Sequence, residues 1–462
     1  MKNKLICLFL ILAILMSFVG CNKDEGEKPK ADTFINGVNV GDYSIVYSDE
    51  DYDYSKRAAE YIKDQILART DKELPIIEDS EAPLTPNEIV VGETEREISK
   101  SLTEKTEGLE FLITANDSSI ALKGDLFIIA AAAYYFIETY IPTDGYSAEV
   151  AKEVAVHTPI IKEAKSFIML IGDGMGEYQT RMFEYFENDL EYGEGEDIFY
   201  GYYLPYKAYS RTESLSGVTD SAAGGTALSC GHKTYNEYIG RDKDLNDVKN
   251  LCELASEKGK AAGVMSTENK TGATPASFSA HADSRGGTTF ILDSQLQAQL
   301  NYGLQLECGF DYYNTKYMGV IEKKITTMLD TLDDDEDGFF LMYEEAHIDK
   351  HCHKNYLDQT FNAMVRFNQA IGVFMEYAFY HPDTFVLITA DHETGDLYPN
   401  EEGVLEYHSE EHTAHPVPVF VYGHSAELFD GKEVENIQIA HTIAHFMGED
   451  NFGDQSEFSY LK

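Results

Sequence analysis

The sequence predicts an α/β fold built on a mostly parallel sheet, with a smaller α+β unit ahead of it. Two observations carry the prediction. Beyond Ser166, the apolar runs 167–171, 261–265, 338–342 and 384–389 alternate with helix-like stretches, and each run is continuously apolar. A strand covered on both faces reads this way, whereas a strand with one wet face alternates. Each run also stops at polar or metal-ligand-type residues, and open α/β sheets place their sites just beyond the carboxyl ends of the strands.

In chain order, Lys2 and Lys4 precede an apolar run over 5–19 and then Gly20-Cys21. The run is short for a membrane span and fits a secretory signal. Gly20-Cys21 resembles a bacterial lipoprotein signal, which implies a signal peptide over 1–20 and a chain anchored by acyl groups on Cys21. Residues 21–33, with Lys23-Asp24-Glu25-Gly26-Glu27, read as a flexible tether. The expected place is a bacterial cell envelope: an outer-membrane-anchored lipoprotein on the periplasmic or the cell-surface face.

Residues 34–155 read as a separate unit. Strands are expected at 44–47, 75–77, 88–92, 111–113 and 119–122, with helices at 56–69 and 126–140, the layout of a small α+β domain. The first helix carries Ala58, Ala59, Ile62, Ile66 and Leu67 on one face. The layout resembles the accessory domain that precedes the catalytic barrel of some glycoside hydrolases, notably the α-glucuronidase and hexosaminidase groups. No paired carboxylates form an acid/base arrangement here, so a packing or spacer role is expected. Residues 160–462 are the expected catalytic domain.

Charge narrows the function. With 36 Lys and Arg against 81 Asp and Glu, the formal net charge is −45. Such a surface repels nucleic acid and acidic membranes. It also repels anionic substrates at long range, so a phosphate site here needs local positive charge, which bound metal ions supply. Beyond Cys7 and Cys21, Cys230, Cys252, Cys308 and Cys352 match neither a disulfide framework nor a Cys-x-x-Cys zinc knuckle.

The chemistry centres on Thr219-Asp220-Ser221-Ala222-Ala223-Gly224-Gly225. A serine leading into small residues and a helix presents its hydroxyl where free N–H groups favour an anion. Serine needs activation, and no Gly-x-Ser-x-Gly elbow is present. The strand ends offer Asp173, Ser266-Thr267, Thr274, Glu344, Asp349, His353, Asp391, His392 and, further on, His412. Singly, each is as compatible with a structural role. Asp349 and His353, four apart, share a helix face and suit one metal, and Asp391-His392 offers adjacent oxygen and nitrogen ligands. Mixed His/Asp sets suit zinc, and Asp/Thr/Glu oxygens suit magnesium.

Ordered blocks over roughly 165–450 make the chain resemble the alkaline phosphatase family. They are Ile171-Gly172-Asp173-Gly174-Met175-Gly176, Thr219-Asp220-Ser221-Ala222-Ala223, and Gly272-Ala273-Thr274-Pro275-Ala276 through His281 to Arg285. Glu344 through Ile348-Asp349-Lys350 to His353 follows, then Thr389 to Gly395 and Glu411-His412-Thr413. The resemblance implies a three-layer α/β/α sandwich around a central, mostly parallel sheet, and a phosphomonoesterase working through a phosphoserine on Ser221. It implies two zinc ions, one on Asp349, His353 and His412 and one on Asp391, His392, Asp173 and Ser221. A magnesium is implied on Asp173, Thr274 and Glu344, with Arg285 forked onto phosphate, Asp220 orienting Arg285, and Lys350 reaching phosphate through water.

The chain departs from the family pattern at Gly272, where Asp or His is usual. His415, His347 and His351 are alternative ligands to His412, and the short stretch from His392 to His412 implies a reduced interface crown, compatible with a monomer. Two other readings stand beside this one. A phosphodiesterase of the same superfamily would usually carry Thr as nucleophile and lack Arg285. A cell-surface binding protein with a vestigial site is favoured only by Gly272. A sulfatase is disfavoured because no cysteine lies in a Cys-x-Pro-x-Arg context.

Overall fold

The computed structural model describes residues 30, 32–49, 53–81, 83–143, 145, 147–186, 198–309 and 318–462. The expected signal peptide, Cys21 and most of the tether lie outside these residues.

The first unit contains β1 (Ser44–Tyr47), α1 (Tyr54–Thr70), β2 (Ile76–Glu78), β3 (Glu88–Val91), β4 (Phe111–Ala115), β5 (Ser119–Lys123), α2 (Ile128–Tyr140) and β6 (Ala155–His157). They form one sheet in the order β2-β1-β3-β5-β4-β6. The β1–β2, β1–β3 and β3–β5 pairs are parallel, and β4 runs antiparallel to both neighbours. The sequence reading stops at the second helix and misses β6, a three-residue edge strand with little apolar signal of its own. On α1, Ala58, Ala59, Ile62 and Ile66 are buried, but Leu67 is 40% exposed. It lies nine residues beyond Ala58, half a turn away round a 3.6-residue helix.

The second unit is a three-layer sandwich. Its strands are β7 (Ser166–Gly172), β8 (Tyr206–Arg211), β9 (Ala261–Ser266), β10 (Gln305–Cys308), β11 (Phe339–Glu345), β12 (Thr384–Thr389), β13 (Val417–Tyr422) and β14 (Glu433–Glu435). The order across the sheet is β10-β9-β11-β7-β12-β13-β8-β14. Only β13 runs antiparallel to its neighbours, β12 and β8. The four strands read from the sequence are adjacent at the centre, and β8, β10, β13 and β14 flank them. Besides a single turn at Glu177–Thr180, the helices are α3 (Ser221–Cys230), α4 (Leu251–Glu257), α5 (Ala273–Ser277), α6 (Thr288–Tyr302), α7 (Met318–Asp333), α8 (His347–Cys352), α9 (Leu357–Tyr380) and α10 (Asn436–Phe446).

Alternate residues of the central strands feed two cores, as the pleat requires. Ile168, Leu170, Leu341 and Ile388 pack toward α7 and α9, while Phe167, Met169, Met342 and Leu387 pack toward α4 and α10. The first core continues into the N-terminal unit through α2, a helix apolar nearly all round and therefore buried on several sides. The Phe127 and Phe379 rings stack at 6.0 Å, and Tyr61 stacks on Tyr380 at 4.2 Å. Arg57 on α1 pairs with Glu376 on α9 at 2.9 Å.

Strand register aligns the chemistry. Ser266 pairs with Glu344, and Ile171 pairs with both Glu344 and Thr389. Asp173 and Asp391, each two residues past that row, project beyond the same sheet edge.

Candidate metal centre and nucleophile

Two local features bring the strand ends together. After β7 the chain turns through Gly174 at φ +77°, and a Cβ there would meet Asp349 Cβ at 2.9 Å and Thr394 Oγ1 at 2.8 Å. Ser221 opens α3, and Asp220 caps it by accepting the Ala223 N–H at 3.0 Å. The small residues of α3 are a packing requirement: a Cβ on Gly224 would sit 2.9 Å from the Asp391 carbonyl oxygen. Glycine lets the helix start lie directly against the end of β12.

Ser221 Oγ lies 3.2 Å from His392 Nε2. The same nitrogen is 3.4 Å from Asp391 Oδ2 and 3.6 Å from Asp173 Oδ1. Beside this group, His353 Nε2 is 3.0 Å from His412 Nε2, and these nitrogens lie 3.2 and 3.5 Å from Asp349 Oδ1. The other ring nitrogens fix the tautomers. His353 Nδ1 faces the Glu410 carbonyl at 2.5 Å, and His412 Nδ1 faces the Thr219 carbonyl at 2.8 Å. Carbonyls only accept, so each Nδ1 carries a proton, and in the neutral rings two Nε2 lone pairs face each other beside a carboxylate. A cation between them satisfies all three groups at once, as a proton on one ring does for the apo site. Thr394 Oγ1 donates to Asp349 Oδ1 at 2.6 Å and lies 3.2 Å from His392 Nδ1, tying the two groups together.

A third cluster lies on the β9 side. Asp173 Oδ1, Asp391 Oδ2, Glu344 Oε1 and Thr274 Oγ1 are buried side-chain oxygens without a hydrogen-bond partner among the described residues. Buried oxygens of this kind are rare unless something else coordinates them. The donor sets therefore fit the metals expected from the sequence: His/carboxylate groups on one side, hard oxygens on the other.

Electrostatics agree. Burial pushes the Asp173 carboxyl well above its usual range, and Asp391, Asp349 and Glu344 add to it. Burial, with Glu268 close by, does the same to Glu344. Burial and Asp349 push Asp391 up to about 7. Burial lowers His392, helped by the neighbouring His412, which keeps the imidazole neutral as a ligand must be. So many carboxylates in one dry space repel each other until cations neutralise them.

Ser221, Asp349, His353 and His412 line one side of a cleft of about 600 Å³, with Arg285 and Asp220 completing the wall. Arg285 Nη1 reaches Asp220 Oδ2 at 3.3 Å, and the same oxygen accepts the Glu237 N–H at 3.0 Å. Asp220 thus caps the helix with one oxygen and steadies Arg285 with the other. Lys350 Nζ donates to Glu268 Oε2 at 2.7 Å.

Ser221, His392, Asp391 and Asp173 lie together, Asp349, His353 and His412 lie beside them, and Arg285 shares their cleft. Lys350 is held by Glu268, and two of the alternative histidines have other partners. His415 pairs with Asp396 at 2.9 Å, and His347 faces Thr267 and Glu345. The sequence reading missed Thr394 and Glu268. Thr394 follows Asp391-His392-Glu393 on a short strand paired with His412–Thr413, so the pairing is what aims it inward. Cys230, Cys252, Cys308 and Cys352 are free.

A parallel sheet whose neighbouring strand ends deliver carboxylates, imidazoles and a helix-capping serine to one cleft defines an α/β metallohydrolase. The family model described as alkaline phosphatase matches residues 164–301 and 313–404. Alkaline phosphatase 3 of Bacillus subtilis is 29% identical over 59% of this chain and 70% of its own. The alkaline phosphatase of Escherichia coli is 41% identical over 27% of each chain. The alkaline phosphatase of the Antarctic bacterium TAB5 superposes with a TM-score of 0.54 at 26% identity, covering 62% of this chain and 99% of that one. A mutant of that enzyme, described with magnesium bound, superposes at 0.55 with 26% identity, over 63% of this chain and 100% of its own. The chain belongs to the alkaline phosphatase family of hydrolases.

Proposed function

We propose that the chain hydrolyses phosphomonoesters through a phosphoserine on Ser221, with two zinc ions and one magnesium. The observation that carries this reading is the position of the Ser221 hydroxyl, 3.2 Å from His392 Nε2 and in the same cleft as Arg285. Asp349, His353 and His412 would hold one zinc. Asp391, His392 and Asp173, with Ser221, would hold the other. Asp173, Thr274 and Glu344 would hold magnesium. When bound, these cations supply the charge that makes a serine alkoxide available, offsets charge on the leaving oxygen and lowers the pKa of a water.

The chain's own residues do the rest. Ser221 Oγ attacks phosphorus in line, the ester oxygen leaves, and water then displaces phosphate from the serine in a second in-line step. The amides opening α3 face the anion. Arg285, held by Asp220, offers a planar pair of donors to two phosphate oxygens. In this reading Arg285 leaves no room for a second ester group, so monoesters are preferred to diesters.

The N-terminal pattern of Lys2, Lys4, the 5–19 run and Gly20-Cys21 supports an outer-membrane lipoprotein of a bacterial envelope, held by acyl chains on Cys21. No helix among the described residues is long and apolar enough to cross a membrane. The short hairpins between His392 and His412 support a monomer.

Assays with an aryl phosphate test the proposal. Ser221→Ala and chelation should each remove activity by on the order of 10³-fold or more, with diesters turned over far more slowly than monoesters. Undiminished activity in Ser221→Ala, or in fully chelated protein, overturns it.

A further inference from the structure

Position 272 carries glycine for reasons of space. Its backbone, at φ −57° and ψ 155°, is open to any residue, so conformation does not require glycine. A Cβ there would fall 1.8 Å from Glu268 Oε1 and 2.1 Å from Glu268 Cδ. The Glu268 carboxylate therefore lies flat on the Gly272 backbone, where a larger residue's side chain would begin.

One contact holds the carboxylate itself: Glu268 Oε2 accepts from Lys350 Nζ at 2.7 Å. The Glu268 backbone is tied as well, its N–H donating to Ser266 Oγ at 3.0 Å, and Ser266 Oγ in turn donates to Glu344 Oε2. Glu344, linked to Glu268 through Ser266, is fully buried, with Oε1 lacking a hydrogen-bond partner among the described residues. Thr274, two residues past Gly272, is also fully buried, with Oγ1 lacking one. Buried hard oxygens near a carboxylate suit a divalent cation.

We propose that Glu268 supplies, from the end of β9, the anionic side chain that position 272 lacks. It acts as a positioning residue for the magnesium on Asp173, Thr274 and Glu344, and it holds Lys350 toward the cleft. Glu268 and Gly272 form a coupled pair: the acid takes the space beside position 272, and glycine makes room for it. This inference rests on the metallophosphatase reading and adds a residue to it.

The test is calorimetric titration of the zinc-loaded full chain with MgCl₂. Glu268→Gln, nearly isosteric, should weaken magnesium binding by about 10- to 100-fold, the usual effect of losing a supporting acid, and raise KM as Lys350 loses its anchor. The double variant Glu268→Ala with Gly272→Asp returns an acid to the vacated space and should recover affinity to within about threefold. Magnesium affinity unchanged in Glu268→Gln overturns the proposal, as does a folded double variant that binds no better than Glu268→Ala. Wild-type protein that takes no magnesium yet remains a zinc-requiring, Ser221-dependent phosphatase overturns this proposal alone. Loss of Ser221 dependence overturns the reading beneath it and leaves the magnesium isotherms to judge Glu268.

Discussion

At the residue scale, His392 and Arg285 show how much a side chain's surroundings decide. His392 is fully buried with Nε2 turned toward Ser221, Asp173 and Asp391, and Thr394 holds its other nitrogen. The motif around Asp391-His392 makes the pair legible in the sequence, because ligand residues cluster at a strand end. Thr394 and Glu268 are not legible in that way. Thr394 depends on a short strand pairing, and Glu268 looks like any charged residue after a strand until Gly272 is seen pressed against it. Arg285 yields a direct prediction. Lysine carries the charge but not the planar fork, so Arg285→Lys should lower kcat/KM by about 10- to 100-fold, roughly 1.4–2.7 kcal/mol. Steady-state kinetics with an aryl phosphate check this, and an unchanged kcat/KM would remove Arg285 from the phosphate site.

At the element scale, α3 is the unit that sets the nucleophile. Its small residues read in the sequence as a helix start that presents the Ser221 hydroxyl, with no reason for their size. The structure gives the reason for Gly224: it lets α3 meet the Asp391 carbonyl. Asp220 has two duties that mutation can separate, because Oδ1 caps the helix and Oδ2 holds Arg285. Asp220→Ala should cost about 1 kcal/mol of stability through the lost cap and also raise KM. Asp220→Asn keeps a capping oxygen, so it should restore the melting temperature while KM stays raised. Thermal melts beside kinetics decide this, and a KM that recovers with the cap would mean Asp220 does nothing for Arg285.

At the scale of the whole molecule, the four central strands were readable because buried parallel strands are continuously apolar. The flanking β10 and β14 were not, being short, polar and exposed in part. The sequence separates the N-terminal unit by texture. An all-apolar α2 announces burial without naming its partner, and that partner is α9 of the other unit.

The formal net charge of the chain is −45, and part of it lies in a dry nest of carboxylates that bound cations would neutralise. The sign follows from the raised carboxyls. Asp173, Glu344 and Asp391 hold protons more tightly folded than unfolded, so what these three carboxyls contribute to the stability of the metal-free protein falls as pH rises from about 4. For Asp391 that loss continues to about 7. Bound cations reverse the trend, since protons compete with them less as pH rises.

Metal content and melting temperature of the purified full chain, measured with and without chelator at pH 5 and 8, put the central claim to the test together. The expected result is two zinc ions per chain and a fall in melting temperature on the order of 10 °C on chelation, larger at pH 8 than at pH 5. A folded chain without zinc, whose melting is indifferent to chelator at both pH values, would contradict it.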